Sequence, residues 1–157
     1  MNKKVLKFII SIFICQSAGI FGSLFTFESI SDWYVTLEKP LFAPPNWIFG
    51  PVWIILYFLM GVSLYIVWEN ELKSKSRKVF FTVFGIQLIL NALWSLLFFG
   101  LKSPLLGLVD IILLDIMVTV TIIYAKSISK LAAILLVPYL VWIIFASILN
   151  FAIFLLN

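Results

Sequence analysis

The sequence predicts an all-α integral membrane protein: a bundle of five transmembrane helices, N-terminus cytoplasmic and C-terminus external. Three observations carry this. First, 64% of the 157 residues are apolar, 11% carry charge, and the mean hydropathy is +1.18. A soluble domain holds about 45–50% apolar and about 25% charged residues. A globule of this size cannot bury so much apolar surface, which excludes a soluble enzyme or nucleic-acid-binding module. A disordered chain needs few apolar residues and many charges and is excluded too. Second, charge-free windows run over 8–27, 40–68, 79–101 and 131–157, and 103–125 is broken only by Asp110 and Asp115. Each is long enough for the roughly 20 residues that cross a bilayer as a helix. Third, basic residues fall on alternate connections. Lys3, Lys4, Lys7, Lys73, Lys75, Arg77, Lys78, Lys126 and Lys130 lie on one side, against Lys39 and Lys102 on the other. Lys and Arg mark the cytoplasmic side, and only an odd number of helices makes that bias consistent.

In chain order the helices fall at about 6–27, 47–68, 79–100, 104–125 and 131–155, with an external lid loop over 28–46, and 1–157 reads as one domain. Runs such as Ile54-Ile55-Leu56-Tyr57-Phe58-Leu59-Met60 do not alternate as barrel strands do. Residues 1–27 read as a retained span, because their apolar core is longer than that of a cleaved signal. The segment 28–46, ESISDWYVTLEKPLFAPPN, is polar, then aromatic, then proline-rich. Two readings stand together for it: a functional lid, and an interfacial segment anchored by Trp33, Tyr34 and Phe42.

Much chemistry is absent. There is no histidine, so His-based metal sites, Ser-His-Asp triads and His-ligated haem are excluded. Cys15 is the only cysteine, which rules out an internal disulfide and a cysteine-held iron–sulfur cluster. No phosphate-binding glycine loop occurs. No metal or required cofactor is expected, and no nucleic-acid partner.

Polar and aromatic residues inside the spans form stripes. Helix 2 carries Trp53 and Tyr57 four residues apart, with Gly50 and Gly61 extending that side. Helix 3 carries Gln87, Asn91, Trp94 and Phe98 at steps of four, three and four. Helix 5 carries Trp142, Ala146 and Asn150 at steps of four, with Pro138 a turn earlier. Trp53 lies about 9 Å in from its helix start at 1.5 Å per residue. The other groups fall at mid-depth or in the outer half. Amides in lipid need partners, so the stripes read either as a chamber with aromatic walls beneath the loop or as helix packing glued by amides. Asp110 and Asp115 stand about 140° apart around helix 4, which argues against a paired-carboxylate site. Structural bonding is the reading preferred for both over proton coupling.

These residues resemble a known pattern. Trp33-Tyr34, Leu37, Lys39-Pro40 and Pro44-Pro45 come first. Phe49-Gly50-Pro51-Val52-Trp53 and Leu56-Tyr57 follow, then Gln87, Asn91, Trp94-Ser95 and Phe98-Phe99, then Asp110. Pro138-Tyr139-Leu140, Trp142, Phe145-Ala146 and Leu149-Asn150 close it. In this order and spacing the chain resembles the TspO/MBR family, the tryptophan-rich sensory proteins related to the mitochondrial translocator protein. The resemblance implies a five-helix, usually homodimeric bundle in the cell membrane. It implies a receptor or sensor that binds porphyrins and flat isoquinoline- or benzodiazepine-type ligands. By matching motifs the pocket would be Tyr34, Pro44, Trp53, Asn91, Trp94, Trp142 and Ala146, and Lys39 could meet a porphyrin carboxylate at the mouth. Some members look like light-dependent porphyrin degraders, with Trp53 and Trp142 the implicated positions, so photo-oxidative degradation is an alternative. Proton-coupled transport through Asp110 or Asp115 is another. The sterol-recognition motif of animal members is missing, since no Tyr, Lys or Arg follows Asn150, and only the loose Val120, Tyr124, Lys126 pattern remains. Phe42 stands where many members have Trp, and Asp115 matches no family motif. A dimer finds one small-xxx-small step in the sequence, Ala18 and Gly22.

The basic asymmetry makes a direct prediction. Reporter fusions place Lys75 in the cytoplasm and Asn157 outside. An external signal at Lys75 contradicts the topology.

Overall fold

The computed structural model describes residues 3–70 and 75–157. Lys73, one of the basic residues counted above, lies outside the described residues. Five helices are long and apolar enough to cross a membrane: α1 (Lys3–Asp32), α2 (Phe49–Glu69), α3 (Lys75–Ser95), α4 (Pro104–Ile128) and α5 (Lys130–Leu156). α1 packs on α2 and α3, α4 on α3 and α5, and α2 on α5, which closes a ring. The outward faces remain apolar, with Phe13 and Ile54 largely exposed. In water such faces would be a sticking liability; in a bilayer they meet lipid. The protein is a multi-pass membrane protein.

Helix ends follow local chemistry. α4 starts at Pro104, a residue suited to the first turn, and the Ser103 hydroxyl accepts from the Leu106 amide at 3.3 Å. Ser129 alone separates α4 from α5, and its hydroxyl accepts from the Ala132 amide at 3.4 Å. On that same side of the bundle Arg77 reaches the last carbonyls of α2, donating to Val67 and Trp68 at 3.2 and 2.9 Å. Lys7 pairs there with Glu69 at 2.7 Å, tying α1 to α2.

At its far end α3 widens. Leu96–Gly100 is a π-turn, closed by the Leu101 amide donating to the Leu96 carbonyl at 2.7 Å. Phe98 and Phe99 are both buried on this turn, and such bulges are often found at functional sites.

The lid differs from expectation at its start. Helix α1 continues through 28–32, and the connection begins at Trp33, with short 3-10 turns at Tyr34–Thr36 and Asn46–Ile48. The polar segment is helical because it has somewhere to dock: the Ser29 hydroxyl donates to the Phe99 carbonyl at 2.9 Å. The lid is tied to the end of α5. The Glu38 amide donates to Asn157 Oδ1 at 3.0 Å, and Asn157 Nδ2 donates to the Glu38 carbonyl at 3.1 Å. Ala18 and Gly22, the one small-xxx-small step of the sequence, are buried within the chain. A side chain at Gly22 would meet Ser95 of α3, so this small-residue stripe serves the approach of α1 to its own neighbours.

Gly61 marks where α1 and α2 come closest. A Cβ there would stand 2.8 Å from the Ile12 Cα and 3.1 Å from the Ser11 carbonyl oxygen. Backbone cannot rotate away, so Gly61→Ala is expected to destabilise the bundle by about 1–3 kcal/mol through overpacking. Gly85, with nothing within 4 Å of its would-be Cβ, is the control: Gly85→Ala should be neutral or stabilising by up to about 1 kcal/mol. Unfolding in mixed micelles measures both, and equal stability of the two variants contradicts the close approach.

Candidate functional site

Beneath the lid the helices diverge around a cavity of about 520 Å³. Ligand sites commonly measure about 300–1,000 Å³ and are mostly apolar with a few placed polar groups. Six of the seven residues singled out from the sequence border it: Tyr34, Trp53, Asn91, Trp94, Trp142 and Ala146. Pro44 does not. The turn closed by the Ala43 amide on the Pro40 carbonyl (3.0 Å) precedes it, and Asn46 and Trp47 stand at the cavity edge in its place. Lys39 does not border the cavity either. Its ammonium lies 4.7 Å from the centre of the Tyr34 ring, a cation–π contact, and the phenol's pKa is raised by burial.

The walls are aromatic pairs. Trp53 stacks on Tyr57 at 5.3 Å and meets Tyr139 edge-on at 6.1 Å. Trp94 stacks on Phe98 at 5.1 Å. Trp142 meets Phe49 edge-on at 6.0 Å.

Below the walls runs a buried polar chain. The Tyr57 hydroxyl donates to Asn91 Oδ1. Asn91 Nδ2 donates to the Tyr139 hydroxyl at 3.0 Å, which donates to Gln87 Oε1 at 3.0 Å. A second chain ties α3 to α5 and α4: Trp94 Nε1 donates to Asn150 Oδ1 at 3.2 Å, and Asn150 Nδ2 to the Pro104 carbonyl at 2.8 Å. The chamber and the interhelical glue therefore coexist. The amides are bonded between helices, and the rings above them line the void. Two donors at the site, Gln87 Nε2 and Trp142 Nε1, are buried without a hydrogen-bond partner.

Sequence reasoning missed α1. Gln16, Gly19, Ser23 and Thr26 border the cavity, and their steps of three, four and three were a legible small-and-polar stripe. Gln16 Nε2 donates to the Ile54 carbonyl at 3.1 Å, closing the inner end of the α1–α2 gap. Farther out, the same gap is bordered by Ile20, Gly50, Phe27 (78% exposed) and Trp47 (73% exposed). The cavity therefore faces hydrocarbon sideways.

Neither membrane carboxylate borders the cavity. Asp115 Oδ2 accepts from the Ser147 hydroxyl at 2.7 Å, a bond between α4 and α5, and Asp110 is buried on α4. Among the described residues no group of three His, Cys, Asp or Glu side chains could hold a metal ion.

Comparison with known proteins agrees over nearly the whole chain. A family model described as the TspO/MBR family matches residues 11–156. The chain is 57% identical over 155 residues to the tryptophan-rich protein TspO of Archaeoglobus fulgidus, covering 98% of each. It is 47% identical over 157 residues to that of Chlorobaculum tepidum, covering 100% of this chain and 99% of the other. It is 38% identical over 143 residues to the translocator protein of Homo sapiens, covering 89% and 84%.

The buried chain ranks two substitutions. Tyr139→Phe removes the hydroxyl that serves both Asn91 and Gln87 and should cost about 1–2 kcal/mol. Gln87→Leu should cost less, because Gln87 Nε2 already lacks a partner. The reverse order in unfolding measurements contradicts the chain.

Proposed function

Since the chain belongs to the TspO/MBR family, we propose that it is a membrane receptor or sensor that takes porphyrins and other flat aromatic ligands into the chamber beneath the lid. The observation that carries this reading is the chamber itself, about 520 Å³ beneath the lid and walled by Trp53, Trp94 and Trp142. Its volume and its mostly apolar, aromatic walls suit a flat ligand. The stacked pairs Trp53–Tyr57 and Trp94–Phe98 offer ring faces, each aromatic contact adding about 0.5–1.5 kcal/mol beyond area burial. Lys39, held on the ring of Tyr34 and not on the chamber wall, supplies no direct ligand contact in this reading.

Light-dependent porphyrin degradation is the second reading, favoured by the presence of both Trp53 and Trp142 on the chamber wall. Proton-coupled transport draws no support from Asp110 or Asp115, which stand away from the chamber. The working form is a homodimer in the cell membrane, a reading that rests on the family.

Porphyrin titration in the dark, followed by illumination, tests these readings. Trp142→Phe keeps a ring but loses the indole N–H, which no protein group uses, and some contact area. Affinity should fall by a few-fold to about tenfold, about 1.4 kcal/mol, while thermal stability holds. Trp53→Phe should weaken binding to a similar extent. A folded double variant with unchanged porphyrin and isoquinoline affinity ends the assignment. Loss of porphyrin absorbance on illumination that requires either tryptophan selects the degradative reading.

A further inference from the structure

A second crevice, of about 250 Å³, opens on the lid side of the bundle, between the end of α1 and the α3–α4 connection. Leu24, Phe25, Ser29 and Asp32 form one wall, and Gly100 and Lys102 the other. It is distinct from the chamber: the π-turn turns Phe99 toward the chamber and Gly100 toward the crevice.

Two opposite charges face this space without meeting. Asp32 and Lys102 form no ion pair with each other. Lys102 holds a left-handed backbone, φ 51°, a conformation that favours glycine or asparagine over a long side chain. Its neighbours fix it there, the Leu101 amide donating to the Leu96 carbonyl at 2.7 Å and the Ser103 amide to the Leu97 carbonyl at 3.3 Å. The Ser29 hydroxyl has spent its proton on the Phe99 carbonyl, which leaves its lone pairs to accept. On the lipid side of the crevice α1 presents Phe21 and Leu24 (66% exposed). The space thus has a cationic donor, an anionic acceptor helped by a hydroxyl, and an apolar track at headgroup level.

We propose that this crevice binds the headgroup of an aminophospholipid. The Lys102 ammonium meets the phosphate, Asp32 and Ser29 accept from the primary ammonium of the ethanolamine, and an acyl chain lies along Leu24 and Phe21. A zwitterionic headgroup offers one charge to each of these two side chains. A choline headgroup has no N–H to donate and a glycerol headgroup has no cation, so both lose the Asp32 half of the site.

Native mass spectrometry of the delipidated full chain tests this, with phosphatidylethanolamine, phosphatidylcholine and phosphatidylglycerol of identical acyl chains offered in equal amounts. The expected result is one retained phosphatidylethanolamine per chain, several-fold over phosphatidylcholine. Asp32→Asn should bring the two to parity. Lys102→Gly should lose the retained lipid while folding normally, because glycine suits the left-handed backbone; a melting curve on the same sample checks the fold. Equal retention of ethanolamine and choline lipids by the unmodified chain, or a preference undiminished in both variants, overturns the site. So does phosphatidylglycerol outcompeting both, which would assign retention to the basic face at the other end of the helices.

Discussion

Hydrocarbon offers no hydrogen bonds, so every polar group within the spans must find its partner inside the protein. The chain Tyr57–Asn91–Tyr139–Gln87 answers that constraint for α2, α3 and α5 at once. Each link crosses a helix boundary, so sliding any one helix by a turn would leave amides unpaired in lipid. Without a hydrophobic driving force between helices, this polar registration and close approaches such as Gly61 against Ile12 decide how the bundle sits.

The chamber is a consequence of that arrangement. Trp53 rests on Tyr57 and against Tyr139, so the ring nearest the void is supported by the two phenols whose hydroxyls are already committed. Trp94 is steadied through Asn150, which is held in turn by the Pro104 carbonyl at the start of α4. The π-turn at the end of α3 supplies the remaining aromatic wall with Phe98 and Phe99. A scaffold of interhelical hydrogen bonds thus carries a rigid set of ring faces. The gap between α1 and α2 gives this space a side facing the bilayer, where flat apolar molecules concentrate.

The five spans were legible because bilayer thickness sets a length that charge-free windows reveal directly. The stripes on α2, α3 and α5 were legible because amides and indoles are rare enough in lipid to stand out at helical spacing. The rotation of α1 was less so. Its one contrast is the stripe Gln16, Gly19, Ser23 and Thr26, whose mostly small side chains stand out less than indoles do. The extension of α1 to Asp32 was hidden for a different reason. Its polar residues look like loop until the Phe99 carbonyl is known to await Ser29. Pro44 and Lys39 belong to an irregular lid, where the order of residues along the chain does not say which side chains face the cavity and which stand behind Tyr34.

The central claim is that a flat ligand lies among the chamber's tryptophans. The six tryptophans of the chain sample it naturally: Trp47, Trp53, Trp94 and Trp142 border the chamber, whereas Trp68 sits at the opposite end of α2, beside Lys7. Fluorine NMR of the 5-fluorotryptophan-labelled chain, titrated with protoporphyrin in the dark, reads their surroundings separately. The ring current of a bound porphyrin should displace the Trp53 and Trp142 resonances strongly at one ligand per chain and leave Trp68 in place. Saturable binding that leaves Trp53 and Trp142 unmoved, or that moves Trp68 most, would contradict the account.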